Sequence, residues 1–203
     1  MNDDETSDEA SMGLRERKKR LTRVAMHRAA LELVLEEGLS NVTADMIAAR
    51  AGVSTRTFFN HWSTKESAIL GILSGEGERL VESLHERIVR SGTRDALRSV
   101  LREALGSTPA DPSLRELKKQ VMAREPKLHS ISSGNLISVQ TEMVDAMAEA
   151  FDGPDAHERA VITVQLGFAL TRSAFAVSMA RGIDLVTAFD EVVALHDAGR
   201  VPF

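Results

Sequence analysis

The stretch TADMIAARAGVSTRTFFNHWSTKE, residues 43–66, decides the fold of the first part of this 203-residue chain. Thr43 and Ser54 are good N-terminal capping residues, and each precedes a short run with apolar residues at helical spacing. Gly52 lies between the two runs, where it supplies the backbone freedom that a turn requires. Two short helices joined by a turn around a glycine predict a helix-turn-helix motif.

A longer amphipathic helix is predicted before this stretch, over residues 14–37. Gly38 follows it, where a left-handed C-terminal cap is expected. The short helices of the motif are predicted over 44–51 and 55–61, and a further helix begins near residue 65. The buried side of the first helix is a stripe of residues spaced three or four apart, namely Met26, Ala29, Ala30, Leu33 and Val34.

The rest of the chain has the same helical periodicity, and we find no clear run that alternates apolar and polar residues as a half-buried strand does. The chain is therefore predicted to be all-α, with about nine helices in total. The later helices are predicted near 65–91, 94–106, 112–124, 128–151, 156–181 and 184–198.

Three segments follow from these patterns. Residues 1–13 are acidic and polar without a periodic face, so they are predicted to be a disordered tail. Residues 14–64 form a first helical domain that contains the helix-turn-helix. Residues 65–203 form a second and larger helical domain.

The net charge of −5 hides an uneven distribution along the chain. Residues 1–13 carry five acids and no bases, and residues 67–203 carry nineteen acids against fifteen bases. Residues 14–66, in contrast, carry ten bases against six acids. A basic block of this kind indicates either a nucleic-acid partner or a solvated face, and charge alone does not separate the two.

Several classes of protein are excluded or disfavoured by the sequence. There is no cysteine, which excludes disulfide scaffolds, thiolate metal sites and cysteine nucleophiles. The familiar motifs of hydrolases, metalloproteases and nucleotide-binding loops are absent, and the six histidines lack metal-ligand spacing. No enzymatic activity, cofactor or metal is expected. The acidic N-terminus does not resemble a secretory signal, and no apolar run approaches the roughly 18 residues of a membrane span, so a cytoplasmic protein without a membrane partner is expected.

The pattern of residues 43–66 resembles the DNA-binding domain of the TetR family of transcriptional repressors. The shared features are a capping Thr, Ile-Ala, Ala-Gly-Val-Ser, Thr followed by two aromatic residues, a His-aromatic pair and Lys-Glu. The helix before it, RVAMHRAALELVLEEG at residues 23–38, matches as well. The resemblance covers about residues 14–70. It implies a dimeric, ligand-responsive repressor with a DNA-binding domain over 14–64 and an effector-binding and dimerisation domain over 65–203.

The predicted recognition helix has two distinct sides. Phe58 and Trp62 are four residues apart and face the core. Arg56 then points outward, where its planar guanidinium can read a guanine edge in the major groove, and Asn60 can read an adenine edge. Thr55 shares this outward side.

The resemblance also implies contacts with DNA phosphates. They carry over to Thr43, Thr57, Phe59, His61 and Lys65, and Ser54 belongs to the same predicted DNA-binding set. Phe59 departs from the tyrosine common in the family, and without the hydroxyl only a van der Waals contact with sugar or a thymine methyl is expected. A cation so close to a helix N-terminus is slightly unfavourable, which a nearby phosphate would explain at Lys65.

A basic run, RERKKRLTR at residues 15–23, precedes the motif, and six of its nine residues are cationic. It is predicted to contact the DNA backbone or minor groove as an N-terminal arm, with a solvated helix face as the alternative. The residues of this set are Arg17, Lys18, Lys19 and Arg20.

The penultimate helix carries two apolar stripes, and the resemblance implies that it and the last helix form a four-helix bundle with a second copy. The alternative is that both stripes are buried inside one monomer. The predicted dimer contacts are Val164, Gly167, Thr171, Ala174, Ser178, Leu185, Phe189 and Val192.

The resemblance further implies a cavity for an unidentified small-molecule effector, although Met and Phe at helical spacing are more often plain core. The candidate lining residues are Met122, Gln140, Met143, Met147, Phe151, Gln165, Phe168 and Arg172. The alternative function is an effector-binding or protein-interaction module with a vestigial helix-turn-helix, a reading that the missing hydroxyl at Phe59 favours.

Overall fold

The computed structural model describes residues 3–107 and 111–201, and these residues form helices joined by turns, as the all-α prediction requires. The described residues contain ten helices and no strand: α1 (Asp3–Glu37), α2 (Ala44–Arg50), α3 (Thr55–Phe59), α4 (Lys65–Leu70), α5 (Glu76–Ser91), α6 (Thr93–Ser107), α7 (Pro112–Arg124), α8 (Pro126–Ala148), α9 (Ala156–Arg181) and α10 (Leu185–Asp197).

The chain divides into two compact units. The first unit comprises residues 1–74 and 111–132, and the second unit comprises residues 75–110 and 133–203. This division does not coincide with the predicted boundary after residue 64, because α7 and the first turns of α8 pack with the helix-turn-helix. The apolar side chains responsible are Leu114, Val121 and Leu128, which are buried in the same core as Ile47 and Phe58.

Polar bonds fix α7 to α1 within the first unit. Arg28 Nη2 donates to Asp111 Oδ2 at 2.6 Å and to Ser113 Oγ at 2.8 Å. The Glu125 carboxylate accepts a hydrogen bond from the Leu39 backbone N–H at 3.1 Å. The first unit is therefore built from α1–α4 together with α7 and the first turns of α8.

Helix α1 begins at Asp3. Residues 1 and 2 lie outside the described residues, and the disordered tail over residues 1–13 stays a prediction.

The predicted helix over 65–91 is two helices. Helix α4 ends at Gly71, which adopts the left-handed conformation with φ of 75°, and α5 begins after Gly75 with φ of 66°. Only glycine takes up such backbone angles at little cost. Ala68, Ile69 and Leu70 anchor α4 in the core of the first unit.

The core of the second unit is formed where α5, α6, α8, α9 and α10 meet. Leu84, Leu97, Met143, Val164 and Phe189 are all buried there. Gly167 permits the close approach of α6, because a Cβ at this position would lie 2.9 Å from side-chain atoms of Leu97 and Leu101.

Candidate nucleic-acid interface

Helix α3 is fixed to the first unit by its inner side and by its cap. Phe58 is fully buried and Trp62 is 2% exposed, as their spacing predicts. Ser54 caps the helix, since its Oγ accepts a hydrogen bond from the Thr57 backbone N–H at 3.1 Å. The short helix therefore presents its other side in a defined orientation.

The outer side of α3 carries Arg56, Phe59 and Asn60, all of them exposed. Within the described residues, neither the Arg56 guanidinium nor the Asn60 amide has a hydrogen-bond or ion-pair partner. The Phe59 ring is 53% exposed and meets the Phe58 ring edge-on, with centroids 5.2 Å apart. Two polar groups that can read base edges thus flank one apolar ring.

The threonines of the predicted set are more tightly engaged. Thr55 is half-buried, and its Oγ1 donates to Asp45 Oδ1 at 2.5 Å, which ties α3 to α2. Thr43 caps α2 by accepting from the Met46 backbone N–H at 3.2 Å. The Thr57 hydroxyl shares a hydrogen bond with that of Ser54 at 2.8 Å. Thr43 and Ser54 remain exposed, whereas Thr55 has a structural bond that sequence analysis does not predict.

Lys65 holds the start of α4 against the turn that follows α1. Its Nζ donates to the backbone carbonyls of Leu39 and Val42, both at 2.8 Å. These two carbonyls explain a cation at a helix N-terminus without a phosphate. An ammonium group has three N–H donors, so one remains for a DNA contact.

His61 lies close to the basic side of α1. Partial burial lowers the pKa of His61, and the positive charges of Arg23 and Lys19 lower it further. Both effects favour the neutral imidazole in the free chain, whereas a nearby phosphate would favour the protonated form. The same interactions place part of the basic run beside the C-terminal end of α3.

The basic run itself is helical. Arg17, Lys18, Lys19 and Arg20 are exposed on α1, and Lys19 lies 3.8 Å from Glu16 in an exposed ion pair. The predicted N-terminal arm is thus a regular extension of α1 rather than an extended peptide.

His27 is a structural residue that sequence analysis misses. It is buried, and its Nδ1 lies 2.6 Å from the Ala68 carbonyl oxygen. A carbonyl can only accept, so Nδ1 carries the proton. Burial lowers the pKa of His27 to about 4, and the imidazole therefore joins α1 to α4 as a neutral donor. The sequence signal for its burial is that it directly follows Met26, which belongs to the buried stripe of α1.

The predicted effector residues do not surround one cavity. Met143 and Met147 are fully buried in the core of the second unit, whereas Met122 belongs to the first unit. Gln140 and Gln165 are in contact with each other, with Oε1 and Nε2 3.4 Å apart. Arg172 is exposed and Phe168 is half-buried. A groove of about 510 Å³ in the second unit includes Phe151 and none of the other seven residues.

The predicted dimer stripe is buried inside a single chain, so this prediction is wrong for most of its members. Thr171 and Leu185 are half-buried. The small residues of α9 serve the packing of α6 and α10 instead, as Gly167 against Leu97 illustrates. The buried members are Val164, Gly167, Ala174, Ser178, Phe189 and Val192.

Several apolar side chains of α9 and α10 are exposed. Phe175 is 40% and Met179 is 60% exposed on one side of α9, and Leu195 of α10 is 39% exposed. Ile162 is 66% exposed on another side of α9, where it lines the groove. Among the described helices, α9 is long and apolar enough by length and composition alone to cross a membrane, a test that core helices also pass. This result departs from the expectation that no apolar run reaches that length.

Comparison with known proteins gives a family for the first unit. Residues 28–69 match the family model of bacterial regulatory proteins, tetR family. The HTH-type transcriptional regulator TcmR of Streptomyces glaucescens is 37% identical over 94 residues, which are 46% of this chain and 42% of that protein. The uncharacterized HTH-type transcriptional regulator YdeS of Bacillus subtilis is 35% identical over 106 residues, 47% of this chain and 54% of its own length. The chain thus spans about half the length of these curated relatives.

The fold is shared with a solved repressor. Native NalD, the secondary repressor of the MexAB-OprM multidrug efflux pump in Pseudomonas aeruginosa, matches 90% of this chain and 96% of its own. The TM-score is 0.51 and the sequence identity is 20%, so this likeness concerns the fold alone.

Proposed function

We propose that this chain is a TetR-type transcriptional regulator, in agreement with the tetR family model that matches residues 28–69, and that it is a dimeric repressor whose α3 reads a palindromic operator. Proteins of this family regulate transcription and are not enzymes. The observation that carries the proposal is the outer side of α3. There, Arg56 and Asn60 stand exposed beside Phe59 while Phe58 and Trp62 fix the helix from within.

Each group has a role in this proposal. Arg56 donates two hydrogen bonds to a guanine, and Asn60 pairs with an adenine edge. Phe59 packs on sugar or a thymine methyl. Phosphate contacts come from the exposed basic residues of α1 and from the remaining N–H of Lys65, with further contacts from Thr43, Thr57 and His61.

Dimerisation uses the exposed face of α9 and α10. Phe175, Met179 and Leu195 would bury apolar area against a second copy, which offsets the cost of exposing them in water. A two-fold axis then presents two copies of α3 to half-sites about 34–36 Å apart, one helical turn of DNA. Such a protein acts in the cytoplasm, where its operator is.

An effector bound in the second unit would release the operator. A continuous helix over 65–91 cannot transmit the conformational change, because the helix is interrupted between Gly71 and Gly75. We assign the coupling to α8, which supplies Leu128 to the first core and Met143 to the second. Release requires only that the effector binds the two conformations with different affinity.

A selection experiment tests the proposal. The full chain is incubated with a pool of randomised DNA duplexes, and the duplexes that it retains are sequenced. The affinity of the chain for each retained duplex is then measured by fluorescence anisotropy. We expect a palindrome, with binding about 10³-fold or more tighter than to a scrambled duplex. Retention of no duplex at low salt by folded protein would contradict the proposal.

The matched variants are Arg56→Ala and Arg50→Ala. Both remove one exposed cation from the helix-turn-helix, but Arg50 already pairs with Glu36 at 2.7 Å. We expect Arg56→Ala to weaken operator binding by about 10- to 100-fold and Arg50→Ala by less than about threefold. The alternative, an interaction module with a vestigial helix-turn-helix, is favoured by the missing hydroxyl at Phe59. It requires that both variants bind DNA as the parent chain does.

A further inference from the structure

A groove in the second unit combines an apolar floor with cationic side chains. It has a volume of about 510 Å³ and lies where α6, α9, the C-terminal end of α10 and the turn after α8 meet. Its volume lies within the range of about 300–1,000 Å³ that small-molecule sites occupy. None of the predicted effector residues except Phe151 lines it.

The floor of the groove is apolar. Leu97 of α6, Leu166 and Leu170 of α9 and the Phe151 ring all line it. Gly167 lies between the two leucines of α9, and its missing side chain is what lets Leu97 approach. An alkyl or aryl group placed here would bury apolar area at about 25 cal/mol for each Å².

Arginines supply the charge of the groove. Arg94, Arg98 and Arg159 line it, and no acidic residue is among its lining residues. Asp197 of α10 pairs with both Arg94 and Arg98, and hydrogen bonds from Arg98 hold the pKa of its carboxyl well below the ordinary range. Two of the three guanidiniums therefore share one carboxylate, Arg159 has no carboxylate partner among the described residues, and the groove keeps an excess of positive charge.

Arg159 and Arg94 retain donors for a ligand. The Arg159 guanidinium carbon lies 4.4 Å from the centre of the Phe151 ring, and one of its N–H groups donates to the Asp152 carbonyl at 3.3 Å. A guanidinium has five N–H donors, so most of those on Arg159 are unused. Arg94 is 60% exposed and gives one nitrogen to Asp197. Both can turn toward a carboxylate.

We infer that this groove binds an organic anion with an apolar body, of the class of alkyl or aryl carboxylates. Its carboxylate is held by Arg159 and Arg94, and its apolar part lies on Leu97, Leu166 and Leu170. The role of this ligand as the effector rests on the proposed function, but its binding does not.

Calorimetric titration of the full chain with decanoate and with 1-decanol tests the inference, both below the concentration at which decanoate forms micelles. The two probes have the same tail and differ in charge. We expect decanoate to bind at least about tenfold more tightly, because charge-assisted hydrogen bonds to arginine exceed neutral ones. Equal affinity for both probes, or no binding of decanoate, would overturn the inference.

Three arginine variants locate the site. Arg159→Gln and Arg94→Gln should each weaken decanoate binding by about five- to tenfold and leave 1-decanol unchanged. Arg102→Gln is the control, since Arg102 lies about one helical turn beyond Arg98 on α6 and pairs with Asp190 outside the groove. Thr163→Phe, which fills the groove from α9, should abolish binding of both probes. Unchanged decanoate affinity in the variants at Arg159 and Arg94 contradicts the site.

Two further results separate this inference from neighbouring proposals. The titration contains no DNA, so failure of operator selection leaves its outcome intact. If decanoate affinity falls as rising protein concentration produces dimers, a second copy covers the groove and the inference is wrong. If decanoate binds through Arg159 and also lowers operator affinity, the ligand is of the effector's class.

Discussion

At the scale of single residues, two polar side chains hold the helix-turn-helix together by three hydrogen bonds. His27 donates from α1 to the Ala68 carbonyl of α4, and Lys65 donates from α4 to the Leu39 and Val42 carbonyls. These bonds satisfy backbone groups that would otherwise lose water without compensation. The position of α3 depends on them, because Trp62 packs in the same core with its ring centroid 6.3 Å from that of His27.

His27 makes the first unit sensitive to acid. Its pKa of about 4 in the folded chain lies below the unfolded value of 6.5, so the unfolded chain takes up the proton first. The contribution of neutral His27 to the free energy of unfolding is fully present above pH 6.5 and decreases as the pH drops toward 4. Below pH 4 this contribution does not change further. We expect a loss of about 2–3 kcal/mol between pH 7 and pH 4.5.

Urea unfolding of the parent chain and of His27→Asn at several pH values measures this loss. Asparagine keeps a donor for the Ala68 carbonyl but does not titrate in this range. The difference in the free energy of unfolding between the two proteins should shrink as the pH falls, because only the parent chain has a His27 that takes up a proton on unfolding. The carboxylates titrate equally in both proteins and cancel. Parallel pH profiles would contradict a neutral buried His27.

Lys65 is predicted to matter for stability before DNA is present. Lys65→Ala leaves two carbonyls without their donor and should cost about 1–3 kcal/mol in thermal unfolding. Lys119→Ala removes an exposed lysine of α7 and should cost less than about 0.5 kcal/mol. If Lys65→Ala melts with the parent chain, the two carbonyl bonds are not significant in solution.

The inner and outer residues of α3 could be predicted from spacing alone. Phe58 and Trp62 are four residues apart, and their burial leaves Arg56 and Asn60 outside. The bonds of His27 and Lys65 could not be predicted, since their acceptors lie 41 and more than 20 residues away and depend on which helices meet.

At the scale of helices, the break between α4 and α5 separates the two units along the chain. Sequence periodicity runs through residues 65–91 without interruption, but Gly71 and Gly75 both adopt positive φ. A glycine inside a helical pattern is ambiguous, because it can either continue a helix or cap it. Here Leu70 packs in the core of the first unit, and Gly71 therefore caps α4 instead of continuing it.

Substitution of Gly71 tests this break. Gly71→Ala forces a β-carbon into the left-handed region, about 3.4 Å from the His27 ring, and should destabilise the chain by about 1–2 kcal/mol. Gly134→Ala is the matched control in α8, where a Cβ meets nothing within 4 Å, and should stabilise by about 0.5–1 kcal/mol. Thermal unfolding of both variants gives the comparison. A stabilising Gly71→Ala would indicate a continuous helix.

The small stripe of α9 shows why sequence analysis fails at this scale. Ala160, Val164, Gly167 and Ala174 have the composition that close helix packing requires, but composition does not identify the partner helix. The structure pairs them with α6 and α10 of the same chain. The sequence likewise does not predict the groove, because Arg94 and Arg159 are far apart in sequence and belong to no motif.

At the scale of the whole molecule, the proposed function requires two recognition helices. A single α3 would contact few base pairs, and a two-fold axis would double the site that is read. The exposed apolar face of α9 and α10 is the surface that the proposal assigns to the second copy.

Charge placed on that face should separate the subunits. Phe175→Lys and Met179→Lys each place a cation where apolar packing is proposed, and we expect monomers by sedimentation at micromolar concentration. Val89→Lys is the control, because Val89 of α5 is the most exposed of the large apolar side chains at 89% and should leave the dimer intact. Dimers that survive both α9 variants would contradict the assigned surface.

The most direct test of the account is the affinity of the parent chain and of Arg56→Ala for a set of operators in which each base pair is replaced in turn. We predict that the parent chain loses about 1–3 kcal/mol of binding free energy at one pair of symmetry-related G·C positions and that Arg56→Ala is indifferent to replacement there. If Arg56→Ala discriminates at every position as the parent chain does, α3 does not read the operator through its outer side.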